Sequence, residues 1–230
     1  MKTLLFLLLV ASMALADGPG VIVSRYAKAG FPLVADPNAA IWKGIRGVFA
    51  DNGPMGEPVP GHRTEIRSRW TDEYIDFLFV CPYQQLHLKP NPEIVKETNQ
   101  LWDWDVAEVF IGSDLNNIRH YYEFEISPRG EWVDLDINRD HPLPQGGWLW
   151  NSGFQNKARI DEKNKVWYGV MRIPFQSIDS RTPANGLQFR VNLYRCQGSD
   201  PGRKYVAWQP TKSRSFHVPE AFGRLVLEGK

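Results

Sequence analysis

Residues 121–137 read YYEFEISPRGEWVDLDI. Two alternating runs flank the four residues Ser127, Pro128, Arg129 and Gly130. Proline presets one turn dihedral and glycine accepts a positive φ, so the stretch predicts a β-hairpin. Side chains alternate across a strand, which gives each arm two rows. In the first arm the apolar row is Tyr122, Phe124 and Ile126, against Tyr121, Glu123 and Glu125. In the second it is Val133, Leu135 and Ile137, against Trp132, Asp134, Asp136 and Asn138. Placing both apolar rows on the core leaves a face of carboxylates and aromatic rings.

The same grammar extends outward. RSRW-TDE-YIDFLFV (67–80) and ARI-DEKNK-VWYGVMRI (158–173) predict two further hairpins. Strands are expected at Thr64–Trp70, Tyr74–Cys81, Val106–Ile111, Tyr121–Ser127, Trp132–Asn138, Asn156–Asp161, Val166–Ile173, Gln188–Tyr194, Tyr205–Trp208 and Gly223–Leu227. In Gln188–Tyr194 the apolar row is Phe189, Val191 and Leu193, with Arg190, Asn192 and Tyr194 opposite. In Val106–Ile111 either row can be core. Helical turns fit only at Asn38–Lys43, Glu93–Leu101 and Phe175–Ile178. With 19 glycines and 17 prolines punctuating short alternating runs, the fold class is all-β: a β-sandwich of two antiparallel sheets with few short helices.

The first 16 residues, MKTLLFLLLVASMALA, combine Lys2, a short apolar run and small residues at Ala14 and Ala16. This is the pattern of a signal peptide cleaved near Ala16, giving a secreted or periplasmic protein. No later apolar run reaches the ~18 residues of a membrane span. Residues 17–230 are expected to form one domain. Without Lys2, 26 basic side chains balance 26 acidic ones. Nucleic acid and anionic membranes select for basic excess, so neither is an expected partner. Cys81 and Cys196 both end strand-like runs. An oxidising compartment permits one disulfide between them, or both stay free thiols.

Sequence motifs for a serine-hydrolase elbow, a Walker loop, an HExxH zinc site and a Rossmann turn are absent. Paired carboxylates at Glu123/Glu125 and Asp134/Asp136 have the alternate spacing a glycoside hydrolase could use. Equally, flat rings with a few placed polar groups are the recipe for a sugar site, and the chain has nine tryptophans.

The order of segments ADPNAAIWKG, TEIRSRWTDEYIDFLFVCPY, WDWDVAEVFI, YYEFEISPRGEWVDLDI, WYGVMRIPFQSI, FRVNLYR, AWQP and FHVPEAFGRLVL resembles family 9 carbohydrate-binding modules and their stand-alone bacterial relatives, from about Val34 to Leu227. The resemblance implies a β-sandwich that binds poly- or oligosaccharide of xylan or glucan type through an aromatic clamp. It implies structural calcium in some members and a separate glycoside hydrolase as a working partner. Carried onto this chain, Trp102 is one wall and Glu108 its hydroxyl partner. Trp208 is the candidate second wall, and Glu123, Arg190 and Asn192 complete the expected carbohydrate-binding set. Trp104 can replace Trp102 as the wall or seal the core. The usual Arg and Asn of a neighbouring strand are replaced in YYEFEIS by glutamates, which bears on the ligand. Two other readings stay open: a glycoside hydrolase, and an interaction sandwich whose sugar site has decayed.

Overall fold

The computed structural model describes residues 20–28 and 30–230; the expected leader, residues 1–16, lies outside them. Among the described residues twelve strands form one continuous mixed sheet folded back on itself. They are β1 (Val21–Tyr26), β2 (Val48–Ala50), β3 (Thr64–Trp70), β4 (Tyr74–Pro82), β5 (Val106–Gly112) and β6 (His120–Ile126), then β7 (Trp132–Asn138), β8 (Gln155–Asp161), β9 (Val166–Pro174), β10 (Gln188–Gln197), β11 (Lys204–Ala207) and β12 (Gly223–Glu228). The strand order is β7-β6-β5-β10-β12-β1-β3-β4-β9-β8, with β11 on β10 and β2 on β3. Among the described residues helix is confined to α1 (Phe175–Ile178) and three single 3₁₀ turns.

The three expected hairpins form as β3–β4, β6–β7 and β8–β9. In the β6–β7 turn the Ser127 N–H donates to the Glu131 carbonyl at 2.9 Å, and Gly130 takes φ 88°. That left-handed backbone is the reason for a glycine there. Residues 93–100 do not form the expected helix. A single 3₁₀ turn follows at Leu101–Asp103.

Two short strands, β1 and β2, add to those expected. β1 runs parallel to β12 over residues 21–25 and parallel to β3 at 25–26. It carries the sheet from one layer to the other, so the sandwich is not purely antiparallel. A buried Ser24–Ser68 hydroxyl bond of 2.8 Å pins this junction.

The main core lies between the layers. Val109, Phe124, Ile126 and Val191 from one layer meet Phe77, Phe79, Trp167 and Met171 from the other. Each fully buried large side chain contributes roughly 1.5–3 kcal/mol. A second apolar cluster lies on the far side of β7-β6-β5-β10. It comprises Leu101, Val106, Phe110, Tyr121, Val133, Leu135, Ile137, Tyr194, Cys196, Ala207 and Phe222.

This second cluster corrects the expected rows. Glu123 is registered with Leu135, and Glu125 with Val133. Opposed residues share a face, so Val133, Leu135 and Ile137 stand beside the glutamates, while Asp134 and Asp136 face the other way with Phe124 and Tyr122. The other layer covers one face and loops cover the opposite one, which lets both rows be buried.

Candidate functional site

The loop-covered face of β7-β6-β5-β10-β11 carries an open cleft of about 1120 Å³. Its floor is built by register. Glu108 on β5 opposes Glu125 on β6 and Tyr194 on β10; Phe110 opposes Glu123 and Asn192. Cys196 opposes Val106 on one side and Tyr205 of β11 on the other. Side chains of Glu108, Phe110, Glu123, Leu135, Ile137 and Cys196 line the floor. The walls are Trp102, Trp148, Tyr205 and Phe216, with His87, His217, Arg139, Arg203 and Arg214 around them.

Three glutamates therefore share this nearly dry face, Glu108 and Glu123 in the floor and Glu125 beside them: Glu108 is 2% exposed, Glu123 3% and Glu125 0%. The Cys196 thiol donates to Glu108 Oε1 at 3.1 Å. Glu123 Oε2 and both Glu125 oxygens have no hydrogen-bond donor. Desolvation disfavours the charged form. Burial pushes Glu108 up to about 7, against the lowering pull of the thiol and Arg203. Burial pushes Glu123 up to about 8, with Glu125 stabilising its anion and Glu108 repelling it. Glu125 is raised well above the usual carboxylate range, by burial first and then by Glu108 and Glu123.

The nearby bases do not neutralise this floor. His217 Nε2 stands 4.0 Å from Glu123 Oε2. Burial, then Arg139, lowers the His217 pKa to about 4, so the ring is neutral at physiological pH. Its Nδ1 lies 3.0 Å from the Tyr121 hydroxyl. Arg203 spends its donors on main-chain carbonyls: Gly198 at 2.7 Å, Asp103 at 3.2 Å, Trp104 at 2.9 Å, and Trp102. It thereby ties the 3₁₀ turn bearing Trp102 to the start of β11.

The residues expected from sequence separate into two groups. Trp102, Glu108 and Glu123 meet in the cleft, with Trp102 36% exposed. Trp208 does not: it is 7% exposed and packs in the inter-layer core. Val206 is opposite Arg195, whereas Tyr205 is opposite Cys196, so Trp208 follows the parity of the core-facing Val206. Asn192 is wholly buried and structural. Its Nδ2 donates to Tyr194 Oη at 2.6 Å and to the Gln209 carbonyl at 2.9 Å, and its Oδ1 accepts from the Gln209 N–H. Arg190 is outside the cleft lining; its guanidinium donates to the Pro219 carbonyl.

Trp104 stacks on His87 with ring centroids 4.5 Å apart, and it is not a cleft wall. Asp105 accepts from the backbone N–H groups of His87 (3.0 Å) and Gly198 (2.5 Å). Cys81 and Cys196 are both free thiols, buried in separate clusters on different faces; no bridge joins them. Among the described residues, no three His, Cys, Asp or Glu side chains gather where a metal ion could sit.

Several cleft residues were not singled out from sequence, among them Trp148, Arg203, Tyr205 and His217. For Tyr205 a signal exists, since strand parity in KYVA sets it apart from Val206. The others sit on irregular loops, where periodicity carries no information.

Comparison with known proteins now places the chain. Residues 38–230 match the family described as carbohydrate family 9 binding domain-like, and the chain belongs to that family. A family 9 carbohydrate-binding module from Caldicellulosiruptor kristjanssonii, solved with cellotriose, superposes with a TM-score of 0.66 at 13% identity, covering 91% of this chain and 94% of that one. A Bacteroides uniformis structure described as a candidate carbohydrate-binding protein gives 0.70 at 16%, over 90% and 99%. An extracellular protein of Arthroderma benhamiae is 24% identical over 192 residues, 78% of this chain and 84% of its own length. At these identities the solved structures establish the shared sandwich.

Proposed function

We propose that the cleft binds an oligosaccharide or a polysaccharide segment of glucan or xylan type without cleaving it. The observation that carries this reading is the pairing of exposed aromatic walls with a carboxyl floor in one open cleft. Sugar rings offer C–H faces to Trp102 and Tyr205, and hydroxyls to Glu108 and Glu123. A protonated carboxyl both donates and accepts, which suits a hydroxyl. Trp102 and Tyr205, 36% and 46% exposed, are solvent-facing rings available for stacking, and they replace the Trp102–Trp208 clamp. Each aromatic contact is worth roughly 0.5–1.5 kcal/mol beyond area burial, so affinity is modest. In this reading the chain is exported, its leader ending near Ala16, and supports polysaccharide catabolism beside a separate glycoside hydrolase.

Titration with cello- and xylo-oligosaccharides, followed by tryptophan fluorescence and calorimetry, tests it. Saturable binding that weakens at least fivefold in Trp102→Ala is expected. A folded protein that binds no member of either series overturns the reading.

The hydrolase reading has the proton-holding Glu108 in its favour, because a general acid needs a raised pKa. It also needs a second carboxylate that stays ionised, with the two environments pulling in opposite directions. Here burial raises all three glutamates together, which favours binding over cleavage.

A further inference from the structure

The floor of the cleft has an unusual charge economy. Three carboxyl groups occupy adjacent pleats of β5 and β6, with Glu108 directly across from Glu125. Glu123 is 3% exposed, lines the cleft, and presents an Oε2 without a donor. Among the described residues no arginine is ion-paired with it: Arg139 donates to the His217 carbonyl and Arg203 to four loop carbonyls. Unpaired buried carboxyls are costly, and an isolated pair of like groups on opposed positions more so. The cost is relieved by a ligand that brings its own positive charge and several N–H donors.

We propose that the preferred ligand is an amino sugar: a glucosamine-type unit whose primary ammonium reaches Glu123, with its ring against Trp102. This rests on the carbohydrate reading above and narrows it from neutral glucan to a cationic glycan. The geometry suits such a ligand better than a free metal ion. A hard cation requires six or more oxygens around it, and no such group of side chains gathers among the described residues. An ammonium has three N–H donors; on binding, the Glu123 carboxyl releases its proton to solvent, and the resulting carboxylate makes a charge-assisted bond of about twice the strength of a neutral one. The aromatic wall beside it serves the apolar face of the same ring.

Three trisaccharides of equal length decide the matter: fully deacetylated chitotriose, N-acetylated chitotriose and cellotriose. Each is titrated into the full-length mature protein at pH 6.5 by calorimetry. The deacetylated trimer is expected to bind at least tenfold more tightly than cellotriose, and N-acetylation, which removes the charge, to abolish that advantage. In Glu123→Gln the ratio between deacetylated chitotriose and cellotriose should fall to near one. The wild-type ratio stands as a test even if the variant folds poorly. Equal affinities within twofold, or tighter binding of cellotriose, overturn the amino-sugar assignment and leave the carbohydrate reading intact. Binding of none of the three overturns both.

Discussion

Glu108 and Glu125 are register partners on adjacent strands, both buried, with Glu108 in the floor of an open cleft. Among the described residues their one thiol or hydroxyl donor is the Cys196 S–H on Glu108. Opposed like charges destabilise a sheet, so the pair persists by holding protons.

That has a consequence for stability against pH. A carboxyl whose folded pKa is raised binds more protons in the native state than in the unfolded chain, so stability falls as pH rises between the two values. Glu108 rises to about 7 and Glu123 to about 8. His217, lowered to about 4, acts oppositely, removing stability as pH falls below 6.5. Between pH 6.5 and 8 the glutamates act without that opposition. Each uncompensated proton costs about 1.4 kcal/mol per pH unit at most. Denaturant melts should show stability dropping through this window, with a shallower drop in Glu125→Gln. An increase in stability from pH 6.5 to 8 would contradict the buried floor.

The two tryptophans that the resemblance pairs as a clamp should separate cleanly. Trp208→Ala opens a cavity in the inter-layer core and should cost about 3–5 kcal/mol. Its ring is packed so tightly that a Cβ placed on Gly223 would lie 2.7 Å from it. Trp102→Ala removes a ring at the cleft rim, and its melting temperature should stay within a few degrees of wild type. Thermal melts and sugar titrations on both variants check this; a large fold loss in Trp102→Ala would place that ring in the core.

Asn192→Leu should behave as a fold variant. It leaves the Gln209 N–H and C=O and the Tyr194 hydroxyl without their amide partner. Each buried group stranded this way costs roughly 1–3 kcal/mol. Equilibrium unfolding should show a loss of that size. If instead stability is unchanged and sugar affinity collapses, Asn192 touches ligand.

Most of the fold was legible because turns and alternation are local. Ser127-Pro128-Arg129-Gly130 announces its hairpin, and Thr64–Trp70 and Trp132–Asn138 match the observed strands to the residue. The face of β7 was not legible. Alternation gives two rows but not which one meets the core, and here both are covered. Only the register of Glu123 with Leu135 decides it, and that is set by the hairpin's turn in three dimensions. β1 was missed for a related reason: its partners, β12 and β3, lie far along the chain and pair in parallel, so no hairpin marks it. Of the site, Trp102, Glu108 and Glu123 were readable from the segment order. Tyr205 needed strand parity, and Arg203 and His217 needed the folded loops.

Arg203 offers the sharpest test of how those loops hold the cleft. Its guanidinium bonds the carbonyls of Trp102, Asp103, Trp104 and Gly198 at once, with its carbon Cζ 5.5 Å from the Tyr205 ring centre. A planar fork can serve four acceptors; the point charge of lysine cannot hold that geometry. Arg203→Lys keeps the charge, so any effect reports the fork. Faster amide hydrogen exchange at residues 101–105 is expected, together with a several-fold loss of sugar affinity, because the Trp102 wall loses its anchor. Global stability should change little, since the turn it restrains lies outside both sandwich layers. If exchange at 101–105 is unaltered while affinity falls, Arg203 contacts the ligand directly instead of positioning Trp102.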